Sequence, residues 1–328
     1  MLKTALPVAG LLVASATLAA AETPRLTIYT YDSFVPDWGP GPAIAAGFEE
    51  SCGCEVEFVA AGDGATLLSR LLLEGSQSEA DIVIGLDTNL IARARESGLI
   101  APHGVEAAFD LPIAWNDPDF LPYDWGYFAF VSDAGTAAPA DFRTLAESDL
   151  SVVIQDPRSS TPGLGLLMWV KAAHGDDAPA IWEGLADNIL TVTPGWSEAY
   201  GLFLEGEADA VLSYTTSPAY HLIAEEDDGK VAWAFEEGHY MQVEVAAMVA
   251  GTDTPDLARE FLAYLVSDPA QSVLPTTNWM YPAVTPEAGL PEGFETLIAP
   301  ERALLLSPEE ALALRDAALE EWRTALSQ

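Results

Sequence analysis

The sequence predicts an α/β fold with mainly parallel sheets, and three strand-like segments near the N-terminus support that prediction. Residues 25–31, 55–60 and 80–85 are alternating or wholly apolar runs of strand length. Helix-like segments at residues 43–50 and 65–73 separate them. Strands that alternate with helices are typical of a parallel, doubly wound sheet, because each helix carries the chain back across one face.

The chain is long enough for two such units, and a second series of strands follows the first. Its 328 residues exceed what one hydrophobic core usually holds. An aromatic strand at residues 124–132 leads into the second series, and an apolar strand at 241–250 leads back. We therefore predict two lobes and a terminal segment: lobe 1 at residues 22–128 and about 245–285, lobe 2 at 129–244, and a C-terminal helical segment of unassigned lobe at 286–328.

The first 21 residues have the features of a signal peptide. Lys3 precedes an apolar stretch at residues 5–18, and three alanines at 19–21 form a small-residue cleavage site. No later apolar run is long enough to span a bilayer, and no cysteine at the cleavage site could take a lipid anchor. We expect export to the periplasm, with cleavage near Ala21.

The charge of the chain is strongly negative, with 13 basic and 51 acidic residues and a formal net charge of −38 at pH 7. A field of this sign repels nucleic acid and anionic lipid, which excludes both as partners. The acidic residues are spread along the whole chain, so solubility alone explains them. The charge permits a cationic ligand without requiring one.

The chain has two cysteines, Cys52 and Cys54, and Gly53 lies between them. Two extended residues span about 6.6 Å, near the upper limit for a disulfide, and the glycine lets the backbone turn and shorten that distance. In an exported chain the pair favours a local disulfide. A catalytic thiol is the alternative, and a thiol titration of the native protein would distinguish the two.

Polar side chains follow several predicted strands, at the edge where ligands bind in open α/β sheets. Asp63 and Gly64 come after the second strand, and Ser160 and Thr161 precede an apolar helix of the second lobe. A helix N-terminus offers free N–H groups to a ligand, but capping alone also explains these side chains. The segment at residues 193–220 adds several aromatic and hydroxyl groups, for which burial in the core is the better explanation when each ring is taken singly.

Seven motifs, taken together, are more specific than any one of them. They are YTYDSF (29–34), DWGPGP (37–42), GLDTNL (85–90), QDPRSSTPGLG (155–165), GWSEAYGLFL (195–204), LSYTTSPAY (212–220) and NWMYP (278–282). As a set they closely resemble the thiamine-binding members of the bacterial extracellular solute-binding protein family, which serve ABC importers. The likeness covers nearly the whole chain after the signal peptide.

The resemblance implies a two-lobed periplasmic binding protein fold of type II, in which each lobe is a mainly parallel sheet flanked by helices and the ligand cleft lies between the lobes. It implies a monomer that is not an enzyme and that holds no metal and no cofactor. The implied ligand is thiamine, thiamine monophosphate or thiamine diphosphate. The implied protein partners are the membrane permease and the ATPase of the importer.

Matching the motifs residue by residue also implies a ligand site. Gly62, just before Asp63, departs from the family pattern, a change that affects the stiffness of the loop and keeps the carboxylate. Thiamine carries a permanent positive charge, so aromatic faces and the carboxylate of Asp63 suit it. The implied contacts are Asp63, Gly64, Ser160, Thr161, Trp196, Tyr214, Thr215, Thr216 and Ser217, with Tyr31, Tyr220 and Trp279 as a further aromatic wall.

Two alternatives remain at this stage. The first is a periplasmic protein that binds ferric ion or another cation, but iron capture in related folds depends on two adjacent tyrosines, and Tyr214 is followed by Thr215. The second is a thiamine-degrading enzyme of related fold, which would need Cys52 or Cys54 as its nucleophile.

Overall fold

The computed structural model describes residues 23–327, so the predicted signal peptide at 1–21 lies outside the described residues. The strands are β1 (Arg25–Thr30), β2 (Glu55–Ala60), β3 (Ile82–Asp87), β4 (Ile100–Ala101), β5 (Leu121–Asp133), β6 (Val152–Gln155), β7 (Ile189–Thr193), β8 (Ala210–Tyr214), β9 (Lys230–Ala232), β10 (His239–Val249), β11 (Tyr281–Pro282) and β12 (Ala303–Leu304). The helices are α1 (Gly41–Cys52), α2 (Gly64–Glu74), α3 (Ile91–Glu96), α4 (Phe142–Ala146), α5 (Thr161–His174), α6 (Ala178–Leu185), α7 (Trp196–Leu204), α8 (Pro218–Ala224), α9 (Pro255–Leu265), α10 (Asp268–Gln271), α11 (Leu274–Thr277) and α12 (Pro308–Leu326).

The main strands form one path of hydrogen-bonded neighbours in the order β2-β1-β3-β10-β5-β8-β6-β7. Pairing is parallel at both ends of this path, where β1 pairs with β2 and β3, and β6 pairs with β7 and β8. The long strands β10 and β5 pair antiparallel with each other and with their outer neighbours. Two parallel α/β sheets are therefore joined through a pair of antiparallel strands.

Strand β5 passes from one sheet to the other. Its residues 121–127 pair with β10, with one irregularity in the register, whereas residues 128–132 pair with β8. The connection between the two sheets therefore falls inside a strand, between Tyr127 and Phe128. The lobe limits predicted from the sequence stay predictions, because lobes are defined by how parts of a chain move and not by strand pairing alone.

Helices cover both faces of the first sheet. On one face α1 and α9 pack together, with the rings of Phe48 and Phe261 5.1 Å apart. On the other face α2 presents Leu67, Leu68 and Leu71, which are fully buried at the spacing of one helical stripe. Each such side chain stabilises the fold by about 1.5–3 kcal/mol through the hydrophobic effect.

Cys52 and Cys54 form a disulfide at the end of α1, with their Cα atoms 5.2 Å apart. Gly53 ends the helix in the left-handed conformation, at a φ of 63°. A glycine adopts this conformation at little cost, so it lets the chain turn tightly enough to bring the two sulfur atoms together.

The C-terminal helix α12 begins with a capping box, in which Ser307 and Glu310 each bond the other's backbone N–H. It packs against α5 and α6 and also contacts α3. Its Trp322 is buried. The predicted C-terminal helical segment therefore contacts helices on either side of the β5 connection. Within residues 23–327, no helix combines the length and hydropathy that a membrane span requires.

Candidate functional site

A cleft with two adjoining cavities lies where strand ends meet the first turns of several helices. The larger cavity has a volume of about 240 Å³ and the smaller about 60 Å³. Tyr31, Ser33, Asp63 and Trp196 line both cavities. This edge of the sheet is where the sequence places the candidate site.

Two helix N-termini meet across the cleft at Asp63 and Ser160. Asp63 caps α2, and its Oδ1 accepts a hydrogen bond from the N–H of Gly64 at 2.7 Å. Ser160 caps α5, and its Oγ donates to Oδ2 of Asp63 at 2.7 Å. Asp63 therefore both caps a helix and lines the cavities, whereas Ser160 caps its helix, is fully buried and lines neither cavity, so its contact with a ligand stays a prediction. Burial raises the pKa of Asp63, against the hydrogen bonds from Ser160 and Gly64.

The first turns of α2 and α5 approach so closely that only glycine fits at position 64. A Cβ atom on Gly64 would lie 2.2 Å from Oγ1 of Thr161 and 2.8 Å from the carbonyl oxygen of Gly85. Nearby, the N–H of Thr66 donates to the carbonyl oxygen of Ser159 at 3.0 Å. Gly64 and Thr161 thus lie at the contact between α2 and α5, beside the cavities rather than on their walls.

Besides Tyr31 and Trp38, three aromatic rings line the smaller cavity: Trp196 at the start of α7, Tyr214 at the end of β8, and Trp279 before β11. Trp196 stacks on Tyr200 with ring centroids 4.9 Å apart. Its Nε1–H donates to Oγ of Ser213 at 2.8 Å. One face of the indole is therefore supported and its nitrogen is satisfied, which holds the ring at the cavity wall.

Trp279 is held in an uncommon conformation, with a φ of 56°. A residue other than glycine in this region costs about 1–3 kcal/mol, so the surrounding structure must impose it. The ring of Tyr220 packs edge-on against Trp279 at 5.5 Å, and its hydroxyl donates to Glu225 at 2.8 Å. Tyr220 thus supports Trp279 from behind and does not itself line either cavity.

The hydroxyl residues after β8 lie behind the cavity wall. Thr215 and Thr216 are fully buried, and Ser217 is 6% exposed. Oγ of Ser217 lies 2.7 Å from Oγ of Ser213, the group that accepts the hydrogen bond from Trp196. The structure therefore brings none of these three residues to the wall of either cavity, and their contact with a ligand stays a prediction.

The wall of the smaller cavity also contains the carboxylate of Glu244, which is 6% exposed. Its Oε2 accepts hydrogen bonds from the hydroxyls of Tyr31, at 3.2 Å, and Tyr123. Its Oε1 accepts from Nε2 of Gln242 at 2.7 Å. Burial raises the pKa of Glu244 to about 7, against the hydrogen bonds from the two tyrosines and Gln242.

Two more carboxyl groups lie beside Glu244 in the sheet. Asp87 on β3 and Asp124 on β5 are its partners in register, and both are fully buried. Asn89 donates to Asp87 at 2.9 Å, and Asn278 donates to Asp124. Burial raises the pKa of Asp87 to about 7 and that of Asp124 well above its usual range, and the charge of Glu244 adds to both rises.

Sequence reasoning missed seven residues of the smaller cavity, among them Trp38, Glu244 and Asn278. Trp38 and Asn278 lie inside motifs that carried the family resemblance, but neither was selected from them. Glu244 left a clearer signal, because it is the only charged residue in the apolar run at 241–250. A single carboxylate in a buried strand requires partners or a function.

Neither cavity resembles a metal or thiol site. Among residues 23–327, no group of three or more His, Cys, Asp or Glu side chains is arranged to hold a metal ion. The disulfide of Cys52 and Cys54 lies outside both cavities, and in the described part of the chain no lysine, arginine or histidine lines either of them. The arrangement suits a small cationic and aromatic molecule held by stacking and by carboxylates.

Three comparisons place the chain among known proteins. A family model described as bacterial extracellular solute-binding protein matches residues 39–276. Over 333 aligned residues the chain is 51% identical to the thiamine-binding periplasmic protein of Escherichia coli strain K12, with 100% of each chain covered. A solved structure described as a periplasmic thiamin binding protein superposes with a TM-score of 0.91 at 50% identity, covering 97% of this chain and 100% of that chain.

A more distant structure shares the fold. The ferric binding protein from Campylobacter jejuni superposes with a TM-score of 0.74 at 19% identity, over 92% of this chain and 99% of that chain. At this identity the likeness shows the fold alone. The fold predicted from the sequence, an α/β periplasmic binding protein, is confirmed.

Proposed function

The chain belongs to the bacterial extracellular solute-binding protein family, and we propose that it is the periplasmic receptor of an ABC importer for thiamine. In this role it binds thiamine in the cleft and delivers it to the membrane permease, which the importer's ATPase drives. The proposal rests on the 51% identity over the full chain to a thiamine-binding periplasmic protein and on the chemistry of the cleft.

The cleft chemistry matches the two halves of thiamine, a flat aminopyrimidine and a thiazolium ring with a permanent positive charge. Trp196, Tyr214 and Trp279 offer aromatic faces in the smaller cavity. An aromatic face over a desolvated cation contributes about 0.5–2 kcal/mol. Asp63 and Glu244 add negative charge to the same wall, and no basic side chain there opposes a cation. This combination is the observation that carries the proposal.

We propose that the anionic end of a thiamine phosphate would lie in the larger cavity. The first turn of α7 lines it through Trp196, Ser197 and Glu198. The N-cap residue is Gly195, so no capping side chain bonds the free N–H groups of this helix. Such N–H groups bind phosphate oxygens. The exposed carboxylate of Glu198 opposes a phosphate, so we expect the affinity to fall from thiamine to thiamine diphosphate.

The remaining parts of the proposal follow from the family. We infer that the protein acts in the periplasm as a monomer, without a cofactor and without catalysis. The disulfide between Cys52 and Cys54 leaves no free thiol for the nucleophile of a thiamine-degrading enzyme. When such a receptor closes on its ligand, the ligand makes contacts that the open state lacks, and these contacts stabilise the closed state.

Isothermal titration of the purified protein with thiamine, its two phosphates, ferric ion and spermidine tests the function. We expect saturable one-to-one binding of thiamine at micromolar concentration or below, and no binding of ferric ion. A shift of the melting temperature on adding thiamine is the independent readout. Neither heat nor a thermal shift with any form of thiamine would overturn the proposal, and tight binding of ferric ion would replace it.

A further inference from the structure

Glu244 is a buried carboxylate in the cavity wall, and every titratable group near it within residues 23–327 is acidic. Tyr31 follows β1, Asp63 precedes α2, Asp87 ends β3, and Tyr123 and Asp124 lie on β5. Each of these groups interacts with Glu244 by a hydrogen bond or by its charge. Tyr214 on β8, whose pKa is raised first by burial and then by the charge of Glu244, completes the set. The buried charge thus has hydrogen-bond donors but no cation beside it.

The charge in this part of the sheet belongs to Glu244 rather than to Asp124. Asp124 is the register partner of Glu244 on the neighbouring strand, and its Oδ1 is buried and accepts no hydrogen bond. A buried carboxyl oxygen that accepts no hydrogen bond is the atom expected to carry the proton. Glu244, by contrast, accepts from two tyrosines and from Gln242, which suits an anion.

Asp63, the carboxylate that the sequence suggests as the partner of the ligand's charge, already has partners for both oxygens. Its Oδ1 caps α2 and its Oδ2 accepts from Ser160 across the cleft. Its carboxylate is therefore committed to the contact between α2 and α5. Glu244 faces the cavity that contains the aromatic rings of Trp196 and Trp279.

We propose that Glu244 is the counter-ion of the ligand's cationic ring, and that binding of a permanent cation expels a proton from Glu244 to solvent. The proposal rests on the proposed function and deepens it, because it names the residue that selects a charged ring over an uncharged ring of the same shape. Asp124 keeps its proton in both states. The pair of Glu244 and Asp124 therefore holds up to two protons before the ligand binds and one proton afterwards.

The sign of the pH dependence follows from this linkage. Glu244 has a pKa of about 7 in the unligated protein, so the proton is partly bound at neutral pH. A cation favours the ionised carboxylate, and binding must therefore displace the proton wherever it is present. The affinity for a cation falls by up to about tenfold for each pH unit below 7, whereas an uncharged ligand displaces no proton.

The experiment compares thiamine with deazathiamine, its uncharged isostere in which a thiophene replaces the thiazolium ring. Titrations of the full chain from about pH 8 to about pH 6, in pairs of buffers with different ionisation enthalpies, give both the affinity and the number of protons released. For the wild-type protein we expect thiamine to bind more weakly as the pH falls and to release up to one proton near pH 7. Deazathiamine should release none.

Two variants separate a counter-ion from a structural residue. Glu244→Gln should weaken thiamine binding at least tenfold, remove the proton release and leave the affinity for deazathiamine within about twofold. Glu320→Gln is the control, because it makes the same change on α12, where the carboxylate is 66% exposed and lies outside the cleft. Equal weakening of both ligands by Glu244→Gln would show a structural role and overturn the proposal.

The outcomes also separate this proposal from the proposed function. If the wild-type protein binds no thiamine at any pH, the function itself fails. If it binds thiamine with an affinity independent of pH and of the Glu244→Gln change, the function stands and the counter-ion proposal fails.

Discussion

Trp196 is an aromatic side chain that is held in place at the wall of both cavities. It lines both cavities, stacks on Tyr200 at 4.9 Å and is fixed by its hydrogen bond to Ser213. A ring that is already fixed loses little rotational freedom when a ligand stacks on it. Its contribution therefore comes from both aromatic contact and preorganisation.

Replacing Trp196 separates those two contributions. Trp196→Ala should weaken thiamine binding at least tenfold, about 1.4 kcal/mol, because the stacking face is lost. Trp196→Phe should have a smaller effect, since it keeps a smaller aromatic face while it loses the bond to Ser213. Leu204→Ala is the control on the same helix, at a side chain that is 49% exposed and away from the cavities. Titration with an unchanged affinity for Trp196→Ala would contradict the cleft assignment.

At the level of single residues, the sequence predicts side chains that belong to local motifs and misses those that depend on pairing between strands. Trp196 and Trp279 were found because their motifs are distinctive. Glu244 acquires its role only when β10 pairs with β5 and β3, which brings Asp124 and Asp87 beside it. No spacing within the chain reports that pairing, so the single charge in the strand was its only sign.

The contact between α2 and α5 is the element that links the two sides of the cleft. Their N-caps, Asp63 and Ser160, bond each other at 2.7 Å, and Gly64 allows the two first turns to approach. If ligand binding requires this approach, the two caps act on affinity through one shared interaction. Shared interactions show as non-additive effects in a double-mutant cycle.

We expect Asp63→Asn and Ser160→Ala each to weaken thiamine binding, Asp63→Asn by at least tenfold. Asparagine still caps α2, so the helix itself should persist. The double variant should bind no more weakly than the weaker of the two single variants, within about twofold. Titration calorimetry of the four proteins measures the coupling. Effects that simply add would show that the two residues act independently and that the bond between the helices does not matter for binding.

The order of elements could be predicted from the sequence, but the connection between the sheets could not. Alternation of strands and helices at residues 25–85 indicated the parallel sheet correctly. The aromatic strand was predicted to lead into the second lobe, whereas β5 belongs to both sheets and changes partner between Tyr127 and Phe128. A largely buried strand such as β5 has a similar apolar pattern whichever sheet it joins.

For the whole molecule, negative charge at the surface and ionised carboxyl groups in the interior both destabilise the folded chain. The net charge of −38 makes the folded chain repel itself, most strongly at low salt. Asp87, Asp124 and Glu244 have raised pKa values because they are buried. Groups with a raised pKa in the folded state contribute stability that is fully present below their unfolded pKa of about 4 and is lost as the pH rises through the folded value.

The unligated protein should therefore become more stable as the pH falls from about 8 to about 6.5. Each buried carboxyl group that gains a proton adds up to about 1.4 kcal/mol per pH unit, or about 2–4 °C in melting temperature. Burial lowers the pKa of His174 and His239, and these two groups act in the opposite direction only below about pH 6.5. Thermal melts across this window measure the effect.

Melts in about 1 M salt separate the buried groups from the surface, because surface charges are then screened beyond about 3 Å. Asp87→Asn, which resembles the protonated acid, should reduce the dependence of melting temperature on pH under these conditions. Asp256→Asn, at a side chain that is 93% exposed, should leave it unchanged. A melting temperature that stays flat or falls on acidification in high salt would mean that these carboxyl groups are ionised in the folded protein. In that case the buried carboxylate would be ionised before the ligand binds at every pH between about 8 and about 6.5. Thiamine would then stabilise the protein equally across this pH range.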